Sequence, residues 1–141
     1  MNHWLYPANT KFYDVFGALK EPETYWPMNS KVAVGDRLFI YLAAPYKQVG
    51  FLCDVVAIDF ALSEILEKVR PFIKGEPDGG KSTKPFMKIK CSLAIEIEDD
   101  SPFAYSHLVD HGLKGMLMGP RKLENNIELL SYLKEAENGL R

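Results

Sequence analysis

The chain has 141 residues, of which 47% are hydrophobic and 26% are charged, with 17 Lys and Arg against 19 Asp and Glu. This length and composition predict one globular domain over residues 1–141, with enough chain to bury a core without disulfides or a structural metal. The net charge of -2 excludes a generally basic surface. Any nucleic-acid partner therefore has to bind a local basic patch.

No targeting segment, membrane span, metal site or cofactor site is predicted. The first residues show no basic region followed by an apolar one, and no apolar run approaches about 18 residues, so we expect a cytoplasmic protein that does not contact membranes. Cys53 and Cys91 lie in apolar segments and are interpreted as buried thiols. His3, His107 and His111 lack the companions of a metal site, and no activated nucleophile is visible, so no catalytic residue is predicted.

The first half of the chain predicts three strands and one irregular connection. A short strand is expected over residues 3–6, ended by Pro7, which offers no donor to a ladder. A long aromatic-rich connection without regular structure follows over residues 13–27. Residues 38–42 are an unbroken apolar run typical of a strand buried on both faces, and residues 49–58 predict the next strand.

The next segment predicts a helix, an exposed loop and a long strand. Apolar residues recur at helical spacing over residues 62–69, and Pro71 ends this helix. Residues 75–85 are rich in Gly and Pro and predict a loop. The whole segment 60–85 is interpreted as a helix-plus-loop insertion. Strict alternation over residues 88–98 predicts a half-buried antiparallel strand.

The last third predicts two helices around a glycine-containing apolar segment. Ser101 followed by Pro102 is typical of a helix start, and Gly112 is the expected end of that helix. Residues 113–121 contain two glycines and a proline and predict a close backbone approach. A final helix is expected over residues 124–136. The sum is an α+β or small-barrel fold of mostly antiparallel strands with about three short helices.

Basic residues are concentrated between residues 68 and 90. This window contains seven basic and two acidic residues, which gives it a net charge of +5. This window is either a one-sided surface that follows phosphates or a solvated loop and strand face. Its basic residues are Lys68, Arg70, Lys74, Lys81, Lys84, Lys88 and Lys90.

Several short motifs together resemble the EVE domains, a PUA-like family related to YTH and ASCH domains. The resemblance covers most of the chain, and its most telling parts are the amino-terminal Trp-Leu and the Val-Gly-Asp turn that precedes an apolar strand. The matching segments are residues 3–7, Trp26 with Met28 and Asn29, and residues 34–41, 49–56, 112–115 and 119–121.

The resemblance implies a PUA-like, mostly antiparallel pseudo-barrel with a pocket for a modified, possibly methylated, base flipped out of nucleic acid. Stacking faces and amide edges would build such a pocket. By position, Trp26, Tyr6 and Tyr41 are the expected aromatic walls. Asn9 and Asn29 are the expected edge readers, because an amide offers both a donor and an acceptor.

Phosphate contacts are expected from two places in the chain. Lys11 and Arg121 are positioned to hold flanking phosphates, and Lys81, Lys84 and Lys88 belong to the basic window. The leading hypothesis is therefore a non-enzymatic domain that binds DNA or RNA carrying a modified base. The oligomeric state is not predicted.

Two other functions stay open at this point. The same fold can serve as a protein-interaction or small-ligand module, which the acidic overall charge allows. A PUA-like hydrolase or nuclease is the third hypothesis, with Tyr41 and Lys47 as the nearest polar pair. Binding that weakens steeply with salt favours nucleic acid over both alternatives.

Overall fold

The computed structural model describes residues 1–11, 13–28, 31–74 and 85–140. Across these residues the chain forms six strands, four α-helices and two 3-10 turns. The strands are β1 (His3–Ala8), β2 (Thr24–Pro27), β3 (Arg37–Leu42), β4 (Gln48–Phe60), β5 (Phe86–Ala94) and β6 (Arg121–Lys122). The helices are α1 (Val15–Ala18), α2 (Leu62–Val69), α3 (Tyr105–Asp110) and α4 (Ile127–Asn138). The 3-10 turns are Arg70–Phe72 and Leu123–Asn125.

The strands form one sheet in the order β2-β5-β4-β3-β1-β6. The β1–β3 pair is parallel, and the other neighbouring pairs are antiparallel. In the described part of the chain, β2 and β6 are the edges and do not pair with each other, so the sheet is open. The expected α+β architecture of mostly antiparallel strands is confirmed, and the described residues form four α-helices where the sequence predicts about three.

Strand β1 continues through Pro7, although the sequence predicts that Pro7 ends it. The Ala8 carbonyl accepts a 3.0 Å hydrogen bond from the Ala43 amide at the end of β3. Successive residues of a strand face opposite neighbours, so the nitrogen of Pro7 points away from β3. On that side β6 pairs only with Trp4 and Leu5. The missing amide proton therefore costs no ladder hydrogen bond.

The two apolar strands and the alternating strand predicted in the middle of the chain are β3, β4 and β5. Strand β5 ends at Ala94, earlier than the alternation over residues 88–98 indicates. Beyond that point, the buried Gln48 side chain donates to the Glu96 carbonyl at 3.0 Å and accepts from the Glu98 amide at 3.3 Å. A side-chain amide thus replaces strand pairing over the last residues of the pattern.

The connection over residues 13–27 contains two short elements that the sequence does not predict. The single-turn helix α1 is capped by Asp14, whose carboxylate accepts from the Gly17 amide at 3.1 Å. Strand β2 pairs with β5, and its first three residues are all buried. Because both elements are only four residues long, neither shows the periodicity that identifies longer helices and strands.

Helix α3 begins later than the sequence predicts. Ala104 rather than Ser101 occupies its N-cap position. The Ser101 hydroxyl instead accepts from the Phe103 amide at 3.1 Å, which forms a turn before the helix. Gly112 follows the helix with a φ of +110°, in the left-handed region that favours glycine, so its predicted role as the end of the helix is confirmed.

Side chains alternate between the two faces of the sheet, and each face has its own core. The inner core packs against α1 and includes Trp4, Tyr6, Val15, Ala18, Trp26, Leu38, Ile40, Leu42, Cys53, Val55, Met87 and Ile89. The helix-side core packs against α3 and α4 and includes Leu5, Phe39, Tyr41, Leu52, Phe103, Leu108, Leu129 and Leu133. Helix α2, from the segment predicted as an insertion, packs on β2 through Tyr25, Ile65 and Val69.

Candidate nucleic-acid interface

Two of the three expected aromatic walls lie together in the inner core. The Tyr6 hydroxyl donates to the Pro27 carbonyl at 2.5 Å, beside Trp26 in β2. The ring of Tyr13 meets that of Trp26 edge-on, with 5.3 Å between centroids, and burial raises the pKa of Tyr13 to about 12. Trp26 and Tyr6 are 4% and 5% exposed, so surrounding side chains already cover both rings.

Tyr41 lies on the opposite face of the sheet from Trp26 and Tyr6. It belongs to the helix-side core, where its ring meets that of Tyr105 edge-on at 6.2 Å. Burial and the neighbouring Tyr105 raise the pKa of Tyr41 to about 12. The structure therefore does not bring the three aromatic residues around one pocket.

One expected edge reader, Asn9, and the first basic residue, Lys11, lie near the end of β1. Asn9 is exposed, and its side-chain oxygen accepts from the Lys11 amide at 2.9 Å. Lys11 is also exposed. Asn29, Lys81 and Lys84 lie outside the described residues. The pocket and phosphate roles of these five residues stay predictions.

Two lysines of the basic window lie against the ring of Tyr25. The ammonium groups of Lys68 and Lys88 lie 5.5 and 5.7 Å from the ring centroid, within the range of cation–π attraction. Lys88 also lies 4.0 Å from a Glu23 carboxylate oxygen. Within this window, acidic and aromatic neighbours thus engage Lys88, whose role as a phosphate contact stays a prediction.

Arg121 holds the backbone of the loop that precedes β6. Its guanidinium donates to the carbonyls of Lys114 and Met116. Gly115 lies between these two carbonyls with a φ of +70°, in the left-handed region that favours glycine, so the bend of the loop around Arg121 explains this glycine. The loop tip projects outward, with Met116 and Met118 74% and 82% exposed.

A cleft with a volume of about 650 Å³ opens beside β6. We refer to it as the edge cleft. Among the described residues, three basic side chains and two amides line it and no acidic residue does. Its lining residues are Trp4, Lys31, Leu113, Pro120, Arg121, Lys122, Leu123, Asn125, Asn126 and Leu129.

A second cavity, of about 440 Å³, lies at the end of the β3–β4 hairpin. This hairpin pocket combines two tyrosines, a lysine, a serine and two carboxylates. Its lining residues are Pro45, Tyr46, Lys47, Ile97, Glu98, Asp99, Ala104, Tyr105 and Ser106.

Hydrogen bonds fix the frame of the hairpin pocket. The Lys47 carbonyl accepts from the Tyr105 amide at 2.8 Å, and the Phe103 carbonyl accepts from the Val49 amide at 3.0 Å. Gln48 between them is buried and joins the hairpin to the segment after β5. Lys47 has a φ of +53°, a strained backbone conformation for a lysine that these bonds maintain.

One loop separates the two cavities and contacts residues of both. From the hairpin pocket, the Tyr105 hydroxyl reaches the Gly115 carbonyl at 3.5 Å. From the edge cleft, Arg121 binds the carbonyls on either side of Gly115. An aromatic pocket and a basic cleft therefore flank the exposed tip of loop 113–121.

Sequence reasoning missed most of this arrangement. The sequence predicts a role for Arg121 but assigns no site role to Tyr46, Tyr105, Ser106 or Lys122. Each of these residues stands in a short irregular segment or at the end of an element. Only the order of strands in the sheet brings those segments together, so no local spacing connects them.

The histidines are engaged in local contacts. His3 and His107 lie 2.7 and 2.8 Å from carboxylate oxygens of Glu124 and Asp100. His111 stacks on Tyr132 with 3.8 Å between centroids. Within the described ranges, no three His, Cys, Asp or Glu side chains are grouped to hold a metal, and no helix there is long and apolar enough to cross a bilayer.

Comparison with known proteins identifies the fold. No family model matches the chain, and no curated protein matches it significantly. A tyrosine-to-phenylalanine variant of ASCH from Zymomonas mobilis superimposes with a TM-score of 0.66 at 11% identity, covering 96% of this chain and 98% of that one. A hypothetical protein from Leishmania major gives a TM-score of 0.64 at 18% identity, covering 100% and 98%. The chain has an ASCH-like fold.

This result confirms the predicted fold class. A protein from Pseudomonas putida gives a TM-score of 0.62 at 11% identity, covering 95% of this chain and 98% of that one. Membership of the EVE family specifically stays a prediction.

Proposed function

We propose that this ASCH-like chain is a nucleic-acid-binding domain that takes one unpaired base into the hairpin pocket and the adjoining backbone into the edge cleft. The observation that carries the proposal is the shared loop. One segment, bound by Arg121 and contacted by the Tyr105 hydroxyl, separates a pocket suited to a base from a cleft suited to phosphates. A strand that crosses this loop meets both surfaces at once.

The hairpin pocket has the groups that read a single base. Tyr46 and Tyr105 line the pocket, and tyrosine rings are stacking partners that every base can use. The carboxylates of Glu98 and Asp99 accept hydrogen bonds from exocyclic amino groups, as acidic side chains do with cytosine. Because they also repel phosphate, the pocket favours a base over the backbone.

The finer form of the proposal is that this base carries a methyl group. Pro45 and Ile97 give the hairpin pocket an apolar wall beside its carboxylates, and Ile97 is exposed. An apolar wall of this kind is how proteins contact the methyl group of thymine. Methylated cytosine offers the same methyl group together with an amino group.

The edge cleft has the charge that a phosphate backbone requires. Lys31 and Lys122 line it with Arg121, and no carboxylate lies among the lining residues. Arg121 already binds two carbonyls, so it supplies positive charge and holds the loop rather than offering a free guanidinium. Lys11, Lys81, Lys84 and Lys88 remain proposed contacts further along the strand.

Fluorescence anisotropy with labelled 12-nucleotide RNA and DNA strands, with and without 5-methylcytosine, tests the proposal at two salt concentrations. Tyr46→Ala should weaken binding about tenfold or more, since stacking of one base is worth about 1–3 kcal/mol. Tyr46→Phe keeps the ring and should bind like the parent. Lys122→Gln should reduce the salt dependence by about 0.7 in the logarithmic slope, as the loss of one phosphate contact does for a single strand.

Lys134→Gln is the matched control, because Lys134 is exposed on α4 and lines neither cavity. If Lys134→Gln and Lys122→Gln lower affinity equally, the edge cleft is not the phosphate site. If no oligonucleotide binds at low salt, the proposal is wrong and a protein or small-molecule partner takes its place.

A nuclease is the second candidate, because Tyr105 of the hairpin pocket contacts both residues that the sequence offers for this activity. The ring of Tyr41 contacts Tyr105, and the Lys47 carbonyl binds the Tyr105 amide. Ser106 adds a hydroxyl to the same wall. With its pKa raised to about 12, Tyr41 keeps its proton at neutral pH and can donate a hydrogen bond but not act as a base. Denaturing gels of the same incubated oligonucleotides show whether strands are cut and whether Lys47→Gln abolishes cutting.

A further inference from the structure

We propose that Cys53 and Cys91 are a modification site for hydrogen peroxide, which joins them in a disulfide across the two central strands. The two residues face each other in the register of β4 and β5. Both are free thiols on the inner-core side of the sheet. This inference does not rest on nucleic-acid binding, and the sequence gives no hint of it because the two residues stand in separate segments.

The strands on either side fix the position of the pair. Leu52 faces Leu93 and Cys53 faces Cys91, so Ser92 is the extra residue of a β-bulge next to the two thiols. The Ser92 hydroxyl donates to the Leu52 carbonyl at 3.1 Å. The Ser92 hydrogen bond therefore fixes the register of β4 and β5 next to the two cysteines. A cross-strand disulfide requires such a register, in which the two cysteines stay opposite each other.

The two thiols differ in exposure and in pKa, so one is suited to attack an oxidant and the other to resolve the product. Cys53 is fully buried, whereas Cys91 is partly exposed. A hydrogen bond between the thiols, together with burial, raises the pKa of Cys53 well above its usual value. The same hydrogen bond lowers the pKa of Cys91 to about 7, because the Cys53 thiol donates to its thiolate. Cys91 is thus the reactive sulfur and the one that a small oxidant reaches.

The chemistry balances in two steps. The Cys91 thiolate attacks one oxygen of hydrogen peroxide, the O–O bond breaks, and a sulfenic acid and hydroxide form. The Cys53 sulfur then attacks the Cys91 sulfur, the S–O bond breaks, and the Cys53 proton leaves with the departing hydroxyl as water. The hydroxide takes up the proton that Cys91 released on ionising, so two thiols and one peroxide give one disulfide and two waters, and a dithiol reductant reverses the change.

Peptide mapping of the full-length protein tests this directly. The native chain is treated with hydrogen peroxide, alkylated and digested with trypsin, which yields residues 48–68 and 91–114 as the two cysteine peptides. We expect these peptides joined by a disulfide that dithiothreitol releases. Intact mass is not the readout, because the exposed Met116 and Met118 also take up oxygen.

Two variants make the result specific. Cys91→Ser should leave Cys53 reduced, since the buried thiol is neither exposed nor ionised. Cys53→Ser should leave Cys91 as a sulfenic acid that proceeds to sulfinic acid, because no resolving thiol remains. The proposal is overturned if the joined peptides appear only after denaturation, if the disulfide links two chains, or if Cys53 oxidises as fast in Cys91→Ser as in the parent.

Discussion

At the scale of single residues, Asp36 links the start of the chain to β3. The side chain is 2% exposed, and three N–H groups donate to it at 3.0 Å: the Asn2 amide, the Ala33 amide and the Trp4 indole. Burial opposes ionisation, but these hydrogen bonds outweigh it and hold the pKa of Asp36 below its usual value. The sequence indicates a turn at this position, but it does not indicate that the Asp36 carboxylate is buried and accepts three hydrogen bonds.

Asp36→Asn should lower the free energy of unfolding at pH 7 by about 2–3 kcal/mol, because an amide has only one acceptor oxygen for three buried donors. A carboxylate with a lowered folded pKa stabilises the protein above its unfolded pKa of about 4, and this contribution disappears as the pH falls through the folded pKa. Urea unfolding between pH 7 and pH 2 should therefore show the parent and variant converging in acid. The exposed Asp110 offers a control, and Asp110→Asn should change little at any pH. A gap that is constant with pH would contradict the assigned ionisation.

At the scale of elements, Gly112 lies just after the end of α3 and beside the start of α4. Its φ is +110°, and a Cβ there would lie 3.2 Å from the Asn126 side-chain oxygen and 3.3 Å from the Glu128 carboxyl. Gly112→Ala should lower the free energy of unfolding by about 1–3 kcal/mol, because the strain has no compensating contact. Gly119→Ala is the matched control, since a Cβ at Gly119 meets nothing within 4 Å, and thermal melts should show a change below about 0.5 kcal/mol. If both variants lose the same free energy of unfolding, the backbone conformation at Gly112 does not explain the loss.

The elements that could be predicted are those whose own residues decide the structure. The unbroken apolar run of β3 and the alternation of β5 each follow from burial of their side chains. The sequence places the start of the last helix three residues too early, because Leu123–Asn125 forms a 3-10 turn and Asn126 caps α4 by accepting from the Leu129 amide. Strands β2 and β6 were not predicted, since each is held by its neighbour in the sheet.

At the scale of the whole molecule, the sheet order decides what the site contains. Trp26 and Tyr41 both looked like pocket walls in the sequence, yet alternation places them in different cores on opposite faces. The hairpin pocket instead takes residues from the β3–β4 turn, the segment after β5 and the start of α3. Such a set depends on tertiary contacts, above all the Gln48 hydrogen bonds, which no pattern along the chain reveals.

The same two-faced arrangement predicts how the molecule unfolds. Leu38 and Leu5 are both fully buried, one in the inner core and one in the helix-side core, and they sit on the adjacent strands β3 and β1. Leu38→Ala and Leu5→Ala should each lower the free energy of unfolding by about 2–5 kcal/mol through loss of burial and an unfilled cavity.

Because one sheet supplies a wall of both cores, neither core can persist when the other is lost. Tryptophan fluorescence, which reports the inner core through Trp4 and Trp26, should therefore coincide with far-ultraviolet circular dichroism in one urea transition for both variants. Separate transitions in Leu5→Ala, with fluorescence changing after the helical signal, would mean that the helix-side core unfolds independently of the inner one.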